Sequence, residues 1–230
     1  MNQKSKKFRR AGPRPSPIYK FAEADDRLRD IFINHSFGHI THEQRHQLVR
    51  FYELLMAAKP TNNMTRLVNF RDIAIKHFID CLIIPKVAEL KFPLLDIGTG
   101  AGFPGIPLKI LFPQEPIGLA DGVLKRIEFL KTVRASLKLD QLELFGRNID
   151  ATFSKPFAGV ITRALAASRE TLDLVTGCLP IGGRVYLMKG PNVDHELKTL
   201  HPYFKLLADK HYELPKTQHQ RRLLIFERIN

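Results

Sequence analysis

The chain reads Asp-Ile-Gly-Thr-Gly-Ala-Gly-Phe-Pro-Gly at positions 96–105, directly after the apolar pair Leu94-Leu95. Glycine at alternate positions lets the backbone turn tightly and approach a ligand without interference from a Cβ atom. Pro104 and Pro107 suit the first turn of a helix, where free N–H groups point toward a negative group. The stretch therefore predicts a strand, a ligand-binding turn and a helix.

Strands and helices alternate on the carboxyl side of this turn. The apolar runs that predict strands lie at 94–97, 117–120, 142–145, 158–162 and 184–188. Apolar residues at helical spacing lie between them, at 106–111, 124–137 and 168–178. This alternation is typical of a doubly wound α/β fold with a parallel sheet, and the alternating stretch at 222–229 predicts an additional edge strand.

An acidic residue follows the second predicted strand and limits the kinds of ligand site that the glycine turn can form. Asp121 lies 25 residues after Asp96. A dinucleotide site has the spacing G-x-G-x-x-G, which would require glycine where this chain has Phe103. An acid before the turn, glycines at alternate positions and an acid after the next strand are the pattern of class I S-adenosylmethionine-dependent methyltransferases. A nicotinamide site and a purely structural turn remain the alternatives at this point.

The first ninety residues predict a different organisation. Residues 1–20 are basic and carry prolines at alternate positions, which is typical of an extended, disordered tail. Apolar residues at helical spacing follow and predict a helical cap. We therefore expect a tail over 1–20, a cap over 21–90 and a catalytic domain over 91–230.

Local signals set the expected helix ends within the cap. Thr41 and Gln44 form a capping box at the start of one helix. Pro60 and the pair Asn62-Asn63 are expected to end that helix, and Pro85 is expected to end the next one.

Charge is the unusual feature of the composition. Lys and Arg number 36 against 23 Asp and Glu, which gives a net charge of +13. The basic excess extends beyond the first twenty residues, so it favours a polyanionic partner such as nucleic acid. No apolar run is long enough to cross a bilayer, and no secretory signal is present. We therefore expect a soluble cytoplasmic protein without a membrane partner.

Neither the cysteines nor the histidines predict a metal site. Cys81 and Cys178 lie 97 positions apart beside apolar residues, and we expect both to be buried, reduced thiols. His42 and His46 have the H-x-x-x-H spacing, but they lie in a polar stretch and no acidic ligand accompanies them in the pattern. The sequence thus predicts a protein without a metal.

From residue 42 to residue 229 the chain resembles the RsmG (GidB) family, which comprises bacterial guanine-N7 methyltransferases of small-subunit ribosomal RNA. The segments that carry the resemblance are Asn63-Met64-Thr65, Lys76 to Asp80, Leu95 to Leu108, Asp121, Lys125 to Leu130, Arg147, Ile161 to Ala164 and Met188-Lys189-Gly190. The resemblance implies a Rossmann-like class I methyltransferase fold with a seven-stranded, mostly parallel sheet.

The resemblance also implies an activity. It is the transfer of a methyl group from S-adenosyl-L-methionine to N7 of the guanine at nucleotide 527 of 16S rRNA, in the small ribosomal subunit. The alternative is a ribosome-assembly factor of the same fold that is non-catalytic or acts on another RNA. A monomer is expected.

Site roles follow from the resemblance residue by residue. Cofactor binding is expected of Asp96, Gly98, Thr99, Gly100, Gly102, Phe103, Asp121, Asn148, Ile149 and Arg163. Catalysis is expected of Arg163 and Lys189, and RNA binding of Arg126, Arg147 and Lys189. Because the carboxyl ends of parallel strands meet at one edge of the sheet, these residues should converge on one crevice. For His77 and Asp80, which lie three apart, a structural hydrogen-bonding role is favoured over catalysis.

One position departs from the family pattern. An acid usually stands two residues after the arginine that follows the third strand, but here that position holds Ile149 and the acid is Asp150. An adenine contact through the backbone would persist, whereas a contact through a carboxylate would move. Guanine N7 carries a lone pair and no proton, so no general base is expected.

Overall fold

The computed structural model describes residues 18–62, 69–163, 165–198 and 201–230. The predicted basic tail therefore lies outside the described residues except for its last three positions, and so does the segment Asn63-Met64-Thr65.

A seven-stranded sheet forms the centre of the molecule. Its strands are β1 (Leu94–Ile97), β2 (Ile117–Ala120), β3 (Leu142–Phe145), β4 (Gly159–Arg163), β5 (Arg184–Lys189), β6 (Phe204–Glu213) and β7 (Gln220–Arg228). Their spatial order is β3-β2-β1-β4-β5-β7-β6. The first five strands run parallel, and β7 pairs antiparallel with both β5 and β6. This confirms the predicted seven-stranded, mostly parallel sheet.

Helices cover both faces of the sheet. The helices are α1 (Phe21–Asn34), α2 (His42–Asn62), α3 (Phe70–Ile73), a π-helix (Ala74–Ile79), α4 (Asp80–Leu82), α5 (Ile84–Val87), α6 (Gly105–Leu111), α7 (Leu124–Leu137), α8 (Ser168–Leu174) and a 3₁₀ turn (Asp194–Leu197). None of the helices within the described ranges is long and apolar enough to cross a bilayer.

The pleat of the strands divides the apolar residues between two cores. Leu94 packs with the core that also holds α1, α2, α6 and α7, whereas its neighbour Leu95 packs with the core under α8. The same alternation separates Val185 from Tyr186 on β5. The helices before the sheet thus share one continuous core with one of its faces.

The helix ends within residues 21–90 agree with the sequence in part. The capping box forms as predicted: the Thr41 backbone N–H donates to Gln44 Oε1 (3.0 Å), and the Gln44 N–H donates to Thr41 Oγ1 (3.2 Å). Pro60 does not end α2, which continues to Asn62. A proline this close to the carboxyl end removes one backbone donor from a helix whose earlier turns are already formed.

The expectation for Pro85 was wrong. The preceding helical segment ends at Leu82, and Pro85 lies in the first turn of α5. A proline is favourable there because the first-turn N–H groups have no helical acceptor.

The last strand is interior, contrary to the expected edge position. β7 lies between β5 and β6, and its residues 223–226 are all buried. Consecutive burial is the mark of a strand covered on both faces. β6 forms this edge of the sheet, and it was not predicted because polar residues such as Lys205 and Lys210 interrupt its apolar pattern.

Both cysteines are buried and unbonded, as expected. Burial raises the pKa of the Cys178 thiol to about 11 and raises that of Cys81 further. Neither sulfur is therefore a thiolate near neutral pH.

Candidate cofactor and substrate site

A cavity of about 620 Å³ opens at the carboxyl ends of β1, β2 and β3. This position is where open parallel sheets bind ligands, and the volume is in the range of small-molecule sites. Six of the predicted site residues line it: Gly98, Asp121, Arg126, Arg147, Asn148 and Ile149. The strand ends thus bring together residues up to 51 positions apart in the chain.

The glycine turn forms one wall of the cavity. Gly98 and Gly102 have φ angles of 65° and 99°, which L-residues with side chains rarely adopt. A Cβ atom at Gly98 would also lie 2.5 Å from the side chain of Leu165, which lines the cavity beside it. Glycine at position 98 lets the backbone itself face the cavity, whereas Gly102 serves the turn away from the cavity wall.

Asp96 holds the turn in place from below. Its Oδ2 accepts hydrogen bonds from the Thr99 hydroxyl (2.7 Å) and the Gly105 N–H (2.8 Å), and the residue is fully buried. Burial raises the pKa of Asp96 to about 7, although both hydrogen bonds act in the opposite direction. The structure thus places Asp96 and Thr99 beneath the cavity rather than on its wall.

Asp121 is a fixed carboxylate at the end of β2. Its Oδ2 accepts from the Gly100 N–H (2.9 Å), and its Oδ1 accepts from the Val123 N–H (2.9 Å). The Arg126 guanidinium adds a contact of 3.1 Å. Arg126 approaches both oxygens, so each oxygen has two donors, and hydroxyl groups of a ligand would take the place of this exposed guanidinium.

Asn148 and Ile149 form the wall beyond β3. A Cβ atom on Gly122 would lie 2.1 Å from Asn148 Oδ1, so the glycine allows the amide side chain to pack over the backbone. Asp150, the displaced acid, does not line the cavity; it accepts hydrogen bonds from the Thr152 N–H (2.9 Å) and the Thr152 hydroxyl (2.5 Å). The cavity wall here is therefore apolar at position 149.

Arg163 lies at the end of β4 and is directed toward the π-helix. It donates to the Lys76 carbonyl (3.2 Å) and to His77 Nδ1 (3.0 Å), and it lies 3.5 Å from Asp80 Oδ2. Asp80 also pairs with Arg221 at 3.1 Å. These contacts join the helices before the sheet to β4, and they agree with the structural role favoured for His77 and Asp80.

His77 and Phe103 form a stacked pair under this arginine. Their ring centroids are 4.3 Å apart with an interplanar angle of 15°, and the Arg163 guanidinium lies 5.4 Å from the Phe103 centroid. Burial, with a further contribution from Arg163, lowers the pKa of His77 to about 3. His77 is therefore neutral near pH 7, and because its Nδ1 accepts from Arg163, its proton is on Nε2. Phe103 and Gly102 lie in the core and do not line the cavity.

Lys189 lies at the end of β5, and its amine reaches the backbone of a residue on the cavity wall. The amine donates to the Ala166 carbonyl (2.7 Å) and to Glu196 Oε2 (2.9 Å), and Ala166 lines the cavity. Glu196 also accepts from the backbone and hydroxyl of Ser168, both at 2.5 Å. Burial opposes ionisation of Glu196, but these hydrogen bonds outweigh it and lower its pKa. Sequence reasoning missed Glu196 and Ser168, which no motif contains.

Comparison with known families gives a match over most of the chain. Residues 44–225 match the family described as rRNA small subunit methyltransferase G (GidB). The chain belongs to this family.

Individual relatives agree with the assignment. The chain is 51% identical over 220 residues to ribosomal RNA small subunit methyltransferase G 2 of Bdellovibrio bacteriovorus, a match that covers 94% of this chain and 86% of the relative. A second protein of that name, from Syntrophobacter fumaroxidans, is 40% identical over 187 residues, covering 80% of this chain but 38% of that longer protein.

A solved structure supports the fold. TrmN from Thermus thermophilus superposes with a TM-score of 0.50 at 21% identity, covering 66% of this chain and 48% of that one. The predicted class I, Rossmann-like methyltransferase fold is thereby confirmed.

Proposed function

We propose that this protein transfers a methyl group from S-adenosyl-L-methionine to N7 of the guanine at nucleotide 527 of 16S rRNA, in the small ribosomal subunit. The observation that carries the proposal is the cavity at the strand ends, where the glycine turn, Asp121 and Asn148 meet in a member of the rRNA small subunit methyltransferase G family. A cytoplasmic location and a monomeric state are expected from the sequence, and both stay predictions.

The cavity lining fits S-adenosylmethionine, which supplies an electrophilic methyl group when bound. The turn at Gly98 and Gly100 would take the methionyl end, because its backbone is free of side chains there. Asp121 would accept hydrogen bonds from the two ribose hydroxyls, and Asn148 and Ile149 would flank the adenine. An apolar residue at position 149 suits the face of a flat base and leaves hydrogen bonding to the backbone.

The proposed reaction needs alignment more than acid–base chemistry. Guanine N7 presents a lone pair in the plane of the base, so attack on a methyl carbon requires no proton removal. The residues of the chain would then hold the base in line and stabilise the charge that develops on it. Arg163 and Lys189 are the proposed groups for this task, since both lie at the carboxyl ends of strands, the edge of the sheet at which the cavity opens.

The polyanionic substrate accounts for the charge of the chain. Arg126 and Arg147 lie at the cavity mouth with side chains 44% and 48% exposed. Such side chains can reach phosphates around a target base. A guanine within folded RNA must also be turned out of its stack to reach the cavity.

Methyl transfer to ribosomal subunits tests the proposal. Small subunits that lack the native modification would be incubated with S-adenosylmethionine carrying a labelled methyl group, and the labelled nucleotide would then be mapped. We expect label on N7 of guanine 527. No label, together with tight binding of S-adenosylhomocysteine, would overturn the proposal in favour of another RNA substrate or an assembly role.

A further inference from the structure

Two histidines and an aspartate meet on the surface where α1 packs against α2. His42 and His46 lie one helical turn apart at the start of α2, and Asp25 lies on α1. One ligand atom from each of the three lies within 4.8 Å of the other two. None of them lines the cavity at the sheet edge.

We propose that Asp25, His42 and His46 form a binding site for a divalent transition metal ion of the Zn²⁺, Ni²⁺ or Co²⁺ class. Imidazole nitrogens and a carboxylate oxygen are ligands that these ions prefer, whereas Mg²⁺ prefers oxygen ligands alone. Water molecules would complete the coordination.

The separation of the ligand atoms supports the site. His46 Nε2 lies 3.4 Å from Asp25 Oδ2. Metal–ligand bonds of about 2.1 Å at tetrahedral angles place two ligand atoms roughly 3.4 Å apart. The rings of His42 and His46 are already adjacent, with centroids 3.8 Å apart. His42 is exposed, so it can adjust its rotamer to complete the site.

Arg45 orients the Asp25 carboxylate without using all of its lone pairs. Its Nε donates to Asp25 Oδ1 (2.7 Å) and its Nη2 donates to Oδ2 (2.9 Å). The Arg45 hydrogen bond lowers the pKa of Asp25, and each oxygen keeps a second lone pair for a metal. Metal-bound carboxylates commonly have such hydrogen-bond partners. The positive charge opposes the cation, so we expect a weak site.

The fold supplies the acidic ligand that the sequence spacing lacks. Asp25 lies 17 positions before His42, on a different helix, and only the packing of α1 on α2 brings it to the histidines. A bound metal would therefore connect the two helices, and it would bind the native state in preference to the unfolded chain.

Metal titration of the full-length, untagged chain tests the site. Zn²⁺ and Ni²⁺ would be titrated by calorimetry against the wild type and against His42→Ala, His46→Ala and Asp25→Asn. The matched controls are His39→Ala and Asp26→Asn, which change exposed neighbours outside the trio. Mg²⁺ serves as the control ion. Thermal unfolding with and without Zn²⁺ gives a second readout.

We expect one Zn²⁺ per wild-type chain, a rise in Tm with Zn²⁺, and no binding of Mg²⁺. Each of the three site variants should bind Zn²⁺ about tenfold more weakly or not at all, while the two controls bind as the wild type does. Absence of Zn²⁺ and Ni²⁺ binding by the wild type would overturn the proposal. Undiminished binding by His42→Ala or His46→Ala would also overturn it, and these two variants leave the Asp25–Arg45 pair intact.

Discussion

At the scale of single residues, Asp121 combines burial with a place on the cavity wall. The residue is 4% exposed, and it is the one acidic residue among those that line the cavity in the described part of the chain. Asp121→Asn should weaken binding of S-adenosylhomocysteine about tenfold or more, because an amide presents one acceptor oxygen where a carboxylate presents two. Calorimetry measures this, with Asp140→Asn, an exposed acid outside the cavity, as the control. Equal affinities would contradict the assigned role.

Arg163 is predicted to be needed for methyl transfer but not for folding. Arg163→Ala removes one of two arginines that pair with buried Asp80, so Arg221 still compensates the carboxylate. We expect methyl transfer to small subunits to fall about a hundredfold, with a native circular dichroism spectrum. Arg169→Ala, at an exposed position, is the control. An unchanged rate in Arg163→Ala would exclude the catalytic assignment.

The buried His77 should make stability depend on pH with a definite sign. Its pKa of about 3 in the folded protein is below the ordinary value of 6.5, so the unfolded chain takes up a proton between these values and the folded chain does not. The contribution of His77 is thus present above pH 6.5 and declines below it, by about 1.4 kcal/mol per pH unit. The glutamine in His77→Gln does not take up a proton in this pH range, so this variant lacks the pH-dependent contribution.

Urea unfolding at pH 7.5 and pH 5.0 measures this contribution. The stability advantage of wild type over His77→Gln should shrink by about 2 kcal/mol between these two pH values. His195→Gln, a change at an exposed histidine, is the control. An advantage that stays constant would place His77 in a solvated environment, contrary to the structure.

The residues at the strand ends could be predicted because a parallel sheet has a fixed polarity. Once the glycine turn from Gly98 is placed after a strand, Asp121 and Asn148 must follow strands at the same edge, and both line the cavity there. The partners of Arg163 and Lys189 could not be found this way. His77 lies 86 positions from Arg163, and helix packing rather than local spacing sets that contact.

At the scale of elements, short apolar runs predicted the strands that are buried on both faces. β1, β2 and β3 coincide with their predicted limits; every residue of β1 and β2 is buried, whereas in β3, at the other edge of the sheet, only Leu142 is. β6 was missed because an edge strand needs only one face apolar and can carry lysines on the other. Its ten residues contain a register shift between Leu206 and Ala208, which also breaks the alternation.

The capping box of α2 provides a test at this scale. Thr41→Ala removes the hydroxyl that accepts the Gln44 N–H and should lower the free energy of unfolding by about 1 kcal/mol. Thr132→Ala on α7 is the matched control, because that hydroxyl donates to a carbonyl of its own helix and caps nothing. Urea unfolding compares the two variants. Equal losses would show that the Thr41 hydroxyl has no special role at the helix start.

At the scale of the whole molecule, charge and fold serve one substrate in different ways. The sheet edge positions the cavity that is proposed to hold the cofactor, whereas the net charge of +13 belongs to the chain as a whole. Attraction of this kind depends on counterion release and carries little information about base sequence. Selection of one nucleotide, the proposed guanine, would therefore come from the shape of the RNA around the cavity and from the residues at its mouth.

RNA affinity should accordingly fall steeply as salt rises, and single arginines should change the slope. Each phosphate contact contributes roughly 0.9 to the slope of log K against log salt for duplexes and roughly 0.7 for single strands.

Arg147→Ala, at the cavity mouth, should reduce the slope by about 1, whereas Arg29→Ala, on the exposed side of α1, should leave it unchanged. Fluorescence anisotropy with a 16S rRNA fragment that contains the proposed target, nucleotide 527, from about 50 to 200 mM salt, measures both slopes. A flat wild-type profile would show that phosphate contacts do not drive binding. Equal slopes for wild type and Arg147→Ala would place the RNA away from the cavity mouth.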